Sequence, residues 1–304
     1  MPPVALAAAI VANVALAFGP WFVRMADVGP VAAGFWRLAL AVPVLFALLP
    51  LAGGGRSLAG ARGIGWILAL AGLGFAADLG SWHAGIVRTT LANATLFGNS
   101  ATLIYPIYGF LIARSWPNRS QAWALVLAAV GAALLLGRSA QLSSAHLLGD
   151  VLCVLAGIFY TAYFILMARV RTRLAPLPAL ALSSLATAPP LLIFALLLGE
   201  PVWPHQWGPL LALAVVSQLI GQGLMIYALG HLPPLVIGIV LLIQPVVAGV
   251  VGWVVYGEAL AGTDFVGVAL VAAALVLVRT GRRPAPVALA PVGTTTRSEQ
   301  VGEA

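Results

Sequence analysis

Hydrophobic runs of roughly the 20 residues that a membrane-crossing helix needs follow one another along the chain, separated by short polar breaks. A first set reads Val4–Phe22, Ala32–Leu51, Gly63–Trp82, Leu91–Ala113 and Ala122–Leu136; a second reads Val151–Ala168, Leu177–Leu198, Pro209–Leu229, Leu235–Val255 and Phe265–Val278. Landmarks of the first set return in the second. Pro106 is answered by Pro245, 139 positions on, and Ala132-Ala133-Leu134-Leu135-Leu136-Gly137-Arg138 by Ala273-Ala274-Leu275-Val276-Leu277-Val278-Arg279. Phe46-Ala47-Leu48-Leu49 is echoed by Phe194-Ala195-Leu196-Leu197. An internal duplication of membrane helices is the economical reading. Five is an odd number of crossings, so the second set starts on the opposite side of the bilayer, an inverted-topology arrangement that typifies alternating-access transporters. The pattern predicts an all-α membrane protein of about ten transmembrane helices in two five-helix repeats, residues 1–138 and 149–283. The remainder, 284–304, is rich in Pro, Ala, Thr and Gly without period and reads as a disordered cytoplasmic tail.

Composition places these runs in lipid. Of 304 residues, 62% are hydrophobic and 8% charged, with mean hydropathy +1.06, where a soluble domain carries roughly 25% charged residues. The lone cysteine, Cys153, lies inside an apolar run, so neither a disulfide framework nor a cysteine metal site is available. Met1-Pro2-Pro3 precede the first run with no basic cluster, and that run therefore reads as a first helix instead of a cleaved signal. The net charge of +7 comes wholly from arginine. Basic residues in short loops report membrane orientation and argue against nucleic acid as a partner. With the N-terminus inside, eleven arginines (56, 62, 114, 119, 169, 171, 173, 279, 282, 283 and 297) face the cytoplasm, and Arg24, Arg37, Arg88 and Arg138 stay outside. Both termini are thus expected to be cytoplasmic.

Asp78 stands out, because it lies within the third run, where a carboxylate costs about 2.5 to 3.5 kcal/mol on insertion scales. It is expected to face a cavity; the alternative is a hydrated position near the outer surface. Trp82, one turn on, shares its face, and His83 follows. The fourth run is unusually polar, with Asn93, Thr95, Asn99, Ser100, Thr102, Tyr105 and Tyr108. Asn99, Thr102, Tyr105 and Pro106 fall in part on one stripe that would line an interior, unless the asparagines serve as polar glue between helices. Tyr160 and Tyr163 sit three apart in the sixth run, Gln218 and Gln222 four apart in the eighth, and Gln244 precedes Pro245 in the ninth. Glutamines without charged neighbours suit neutral or zwitterionic solutes, and an aromatic wall suits planar or cationic ones; the tyrosines alternatively belong to an interfacial belt. Trp66, Trp116, Trp123, Trp203 and Trp207 cluster at run ends as such a belt, while Trp21 and Trp36 have no obvious place.

Gly19-Pro20, Pro43, Pro106, Pro189-Pro190 and Pro245 fall inside predicted spans, where each proline frees a carbonyl that protein or water must satisfy. Pro20, Pro106 and Pro245 are candidate hinges, with static kinks the alternative. The pairs Ala128/Ala132 and Ala269/Ala273 permit close packing at matching places in runs five and ten. No P-loop, HExxH or paired His/Cys cluster is present, and Gly53-Gly54-Gly55 reads as a loop. Neither cofactor nor metal is expected.

Ten helices in two repeats, a central proline in runs four and nine, and Tyr256-Gly257-Glu258 closing run nine resemble the EamA-type branch of the drug/metabolite transporter superfamily over residues 1 to about 283. Within it, Asp78 with Trp82-His83, Tyr105-Pro106 and Phe159-Tyr160-Thr161-Ala162-Tyr163 look most like bacterial aromatic amino acid exporters. The first half departs from the pattern at Ala113-Arg114, where the second has Gly257-Glu258. The resemblance implies an exporter in the bacterial inner membrane, with a central cavity formed by helices three, four, eight and nine and the ends of one and six, and no required oligomer. Substrate contact or coupling would fall to Asp78, Trp82, His83, Asn99, Thr102, Tyr105, Tyr160, Tyr163, Gln218, Gln222 and Gln244, with a small-molecule substrate, lipid and protons as partners. An antiporter of phosphorylated metabolites or nucleotide sugars would need cations in the cavity, for which only Arg37 and Arg88 are placed. An intramembrane lipid-modifying enzyme would need Asp78 and His83 as acid and base, yet they are five apart, off a common helical face, with no nucleophile nearby.

Overall fold

A computed structural model describes residues 2–52, 58–139 and 144–257, with eight further positions between 262 and 277. Among these residues the chain is helical with no strand. The first repeat holds α1 (Pro3–Ala17), α2 (Gly19–Met25), α3 (Pro30–Leu48), α4 (Gly65–Ile86), α5 (Leu91–Gly98), α6 (Ala101–Ala113) and α7 (Arg119–Ser139). The second holds α8 (Ser144–Val170), α9 (Pro176–Leu197), α10 (Gly208–Leu229), α11 (Pro234–Leu241) and α12 (Ile243–Tyr256). Among the described residues, seven stretches are long and apolar enough to cross a membrane: Pro3–Met25, Pro30–Leu48, Gly65–Ile86, His146–Val170, Pro176–Leu197, Gly208–Leu229 and Pro234–Tyr256. The broken pair α5–α6 and helix α7 occupy the fourth and fifth predicted runs. The tenth run is described only in part; Glu258, the 284–304 tail and the side chains of Ala128 and Ala132 lie outside the described residues.

Local signals set the helix boundaries. Pro3, Pro30, Pro176 and Pro234 each stand in a first turn, where a missing N–H costs nothing. Thr90 caps α5 by accepting from the Asn93 N–H. Asn118 and Gln121 exchange side-chain-to-backbone bonds, both 2.9 Å, at the start of α7, a reciprocal capping box.

Three runs, each with a candidate hinge proline, break within the span. Run four breaks at Asn99–Ser100 and run nine at Leu242. The first break lies upstream of Pro106, which sits inside continuous α6; the second lies closer to its proline, with Pro245 in the first turn of α12. Run one breaks at Phe18, just before Gly19-Pro20. In α10, residues Leu213–Gln222 are π-helical, a distortion found often at functional sites. By contrast Pro43 and Pro189-Pro190 are carried inside unbroken helices.

The packing is that of two repeats related by inversion. Helix α3 lies against α9, and α4 against α8 and α9; correspondingly α10 lies against α1 and α3. At the seam α6 pairs with α11 and α5 with α12, so the two broken segments run antiparallel. Close approach rests on small residues. A Cβ at Gly238 would sit 2.6 Å from the Thr102 carbonyl oxygen and 2.7 Å from the Pro106 ring; one at Gly72 would sit 2.6 Å from Ala186. Many large apolar side chains, Leu111, Leu197 and Val254 among them, point outward, as lipid-facing positions must.

Candidate functional site

Where the repeats meet, Leu16, Arg37, Phe75, Asp78, Leu79, Trp82, Gly98, Asn99, Tyr160, Gln222 and Gln244 surround a cavity of ≈ 30 Å³, room for roughly two water molecules. Six of the residues singled out in the sequence are therefore brought together: Asp78, Trp82, Asn99, Tyr160, Gln222 and Gln244. The 6% exposure of Asp78 is not that of a hydrated surface position. Its carboxylate makes no hydrogen bond and no ion pair among the described residues. It reaches this wall because α4 continues to Ile86 and carries position 78 well inside the span.

Trp82 is held edge-on to the cavity by its indole N–H, which donates to the Ala94 carbonyl at 2.8 Å. That carbonyl lies midway along α5, and a carbonyl oxygen has two lone pairs with which to accept. Gly98 makes room for the ring, since a Cβ there would lie 2.7 Å from the indole nitrogen. Tyr160 opens a directional chain. Its hydroxyl donates to Gln222 Oε1 at 3.3 Å, Gln222 Nε2 donates to the Tyr163 oxygen at 3.4 Å, and Tyr163 meets Ser183 Oγ at 3.5 Å. Ser183 spends its own proton on the Leu180 carbonyl. Gln244 is fixed by donation to Asn13 Oδ1 at 2.6 Å, with Asn13 bonded back to the Ala9 carbonyl.

The other candidates stand behind the wall. Tyr163 stacks on Phe75 at 4.4 Å. Tyr105 packs on Tyr108 and Phe164, and Thr102 is buried at the seam with a hydroxyl that has no partner among the described residues. His83 turns away, its Nδ1 2.7 Å from the Pro30 carbonyl; because a carbonyl only accepts, Nδ1 carries the proton. Its Nε2 is buried without a partner among the described residues. Gln218 faces sideways, donating to Ser184 Oγ at 3.0 Å and accepting from Arg37 Nε at 2.9 Å.

Arg37, weighed in the sequence as a cavity cation only for the antiporter alternative, is not among the expected substrate contacts. Counted among outside arginines, it is 1% exposed in mid-α3, donates also to the Ser217 carbonyl at 3.4 Å, and lies 5.9 Å from the centre of the Phe75 ring. The signal was its place five residues inside a predicted span, which makes an intramembrane charge a functional candidate. Phe75 gave no signal beyond hydrophobicity.

On one face of the molecule, the segment after α9 clasps the start of α3. Glu200 accepts from the Val31 and Ala32 N–H groups at 3.3 and 2.8 Å, and the Pro201 carbonyl accepts from Gly29 N at 2.9 Å. Trp36, unplaced by sequence, donates to the Val202 carbonyl at 2.6 Å and packs edge-on against Trp203 and Trp207. Asp27 accepts from the His205 and Gln206 N–H groups at 2.9 and 3.0 Å. Desolvation works against its charge, but these donors outweigh it and hold the carboxylate below its ordinary value.

Comparison with known proteins bears on this arrangement. The EamA-like transporter family matches residues 3–137 and again 147–280. No curated protein matches the chain. A crystal structure of a protein 17% identical in sequence superposes with a TM-score of 0.69, over 90% of this chain and 95% of that one; at such identity it shows the fold.

Proposed function

The chain belongs to the EamA-like transporter family, and from this premise we propose that it exports small organic solutes, aromatic amino acids or related metabolites, by alternating access around the cavity at the seam of its repeats. The repeats, 1–138 and 149–283, rock against each other in a bacterial inner membrane with both termini cytoplasmic. Asp78 meets a substrate ammonium or carries the coupling proton.

One observation carries this reading: a carboxylate that accepts no hydrogen bond among the described residues, in a cavity it shares with Arg37, Phe75, Trp82, Tyr160 and neutral amides, contributed by both repeats. An aromatic wall rewards a planar side chain by about 0.5 to 1.5 kcal/mol beyond area burial. A phosphorylated solute fits worse, since its charge would meet a single arginine, already shared with Gln218 and Ser217, beside a carboxylate. A lipid-modifying enzyme fits worse still, because His83 points at Pro30 and away from Asp78.

The test is flux of labelled phenylalanine into and out of liposomes holding the purified protein, alongside assay of lipid turnover. Phenylalanine movement competed by aromatic more than by aliphatic amino acids is expected. Flux of a sugar phosphate without phenylalanine flux, or lipid turnover without any flux, would replace this reading.

A further inference from the structure

Resting on the transport reading above, we infer that Arg37 and Asp78 form a two-headed cradle for a zwitterion, Arg37 taking the carboxylate and Asp78 the ammonium, with the solute's side chain against Phe75, Trp82 and Tyr160. Both charged groups line the same cavity, and both are almost wholly buried. Yet the two do not form an ion pair with each other, and the Asp78 carboxylate accepts no hydrogen bond among the described residues. An arginine kept only for packing would be neutralised by its nearest acid, because a buried charge without a contacting counter-charge is costly. Here neither group meets a contacting counter-charge across the one space they share.

The hydrogen bonds on Arg37 point the same way. A guanidinium has five N–H donors. Gln218 holds Nε and the Ser217 carbonyl takes one terminal N–H, which fixes the plane and leaves the end-on edge available for a carboxylate in fork geometry. Gln218 is itself oriented by Ser184, so it acts as a positioning residue for Arg37. A ligand carrying one charge of each sign satisfies both groups at once. An amine satisfies only Asp78, an acid only Arg37, and either leaves the other charge buried and uncompensated.

The experiment compares L-phenylalanine, phenethylamine and 3-phenylpropionate, which share a ring and differ in their charged heads, by thermal stabilisation of the full-length protein in detergent and by competition for phenylalanine flux in liposomes. Wild type is expected to prefer phenylalanine to each one-headed analogue by tenfold or more, about 1.4 kcal/mol per tenfold step. Arg37→Gln should erase the preference over phenethylamine and keep that over 3-phenylpropionate; Asp78→Asn should do the reverse. Gln218→Ala, which keeps both charges, should narrow the phenethylamine ratio severalfold, and it carries the test if Arg37→Gln does not fold. Equal affinity of wild type for all three compounds, a uniform loss in both charge variants, or an unchanged ratio in Gln218→Ala overturns the cradle. Phenylalanine flux without head-group discrimination sinks the cradle alone, whereas absence of both binding and flux for every compound removes the aromatic-exporter reading and the cradle with it.

Discussion

Segments four and nine, α5–α6 in the first repeat and α11–α12 in the second, share a plan and differ in their surfaces. Each breaks near its middle, carries a proline beyond the break, and ends on a left-handed residue, Arg114 at φ 46° and Gly257 at φ 64°. The first presents Asn93, Thr95, Asn99 and Thr102, while the second is apolar within the span except at Gln244. The same division runs through the cavity. Its two charges, Arg37 and Asp78, come from the first repeat; Tyr160, Gln222 and Gln244, all neutral, come from the second. Duplication supplies the shape, and divergence of the copies supplies the electric field across it.

The comparison breaks outright if the repeats are not inverted. In a Cys153→Ala background, single cysteines at Ser115 and His205 should label from opposite faces of the membrane; labelling from one face would end the argument. Next in size is the charge asymmetry. Asp78→Asn keeps shape, so insertion and folding should survive while flux or its pH dependence is lost, and adding Gln222→Glu should not restore it. Full activity with an unchanged pH profile in liposomes would show that the first-repeat acid is dispensable.

At the seam itself, Gly238→Ala drives a methyl group onto the Thr102 carbonyl, whereas Gly109→Ala meets the Pro234 ring, with closest approaches of 2.6 and 2.9 Å. Overpacking costs typically 1–3 kcal/mol, and thermal unfolding should rank Gly238→Ala as the worse. For the aromatic wall, Tyr160→Ala should weaken phenylalanine about tenfold or less and alanine less than that. Tyr105→Ala, behind the wall, should affect the two solutes alike. Equal losses for both solutes in Tyr160→Ala would make this tyrosine a packing residue. The smallest effect concerns the two helix ends: a non-glycine residue in left-handed conformation costs roughly 1–2 kcal/mol, so Arg114→Gly should raise the unfolding temperature and Gly257→Ala lower it by a similar amount.

The ten-run pattern and the duplication were legible because lipid imposes a length and a polarity on every crossing. Asp78 was legible for the same reason. The breaks were harder to place: Pro106 and Pro245 signal a freed carbonyl, but the chain yields at Asn99–Ser100 and Leu242, where the antiparallel partner decides. Arg37 was counted with the outside arginines and weighed as a cavity cation only for the antiporter alternative; its burial and its contact with Gln218, 181 residues away, show it turned inward. His83 and Tyr105 share segments with cavity residues, yet their rotation depends on neighbours that periodicity does not specify.

Glu200 and Asp27 belong to opposite repeats, and each takes its backbone donors from the other one. If the repeats rock as proposed, such contacts would exist only while that face is shut and would act as a latch. Every bond in it deepens the shut state and lowers the fraction of molecules open on that side, and a solute arriving there binds more weakly by that same fraction. Loosening the latch, by Glu200→Gln or by acid that protonates Asp27 once the pH falls below its lowered value, would favour entry from that face over exit. On that proposal, the favoured direction of transport would be set partly far from the cavity, by four N–H groups and two carboxylates at the rim.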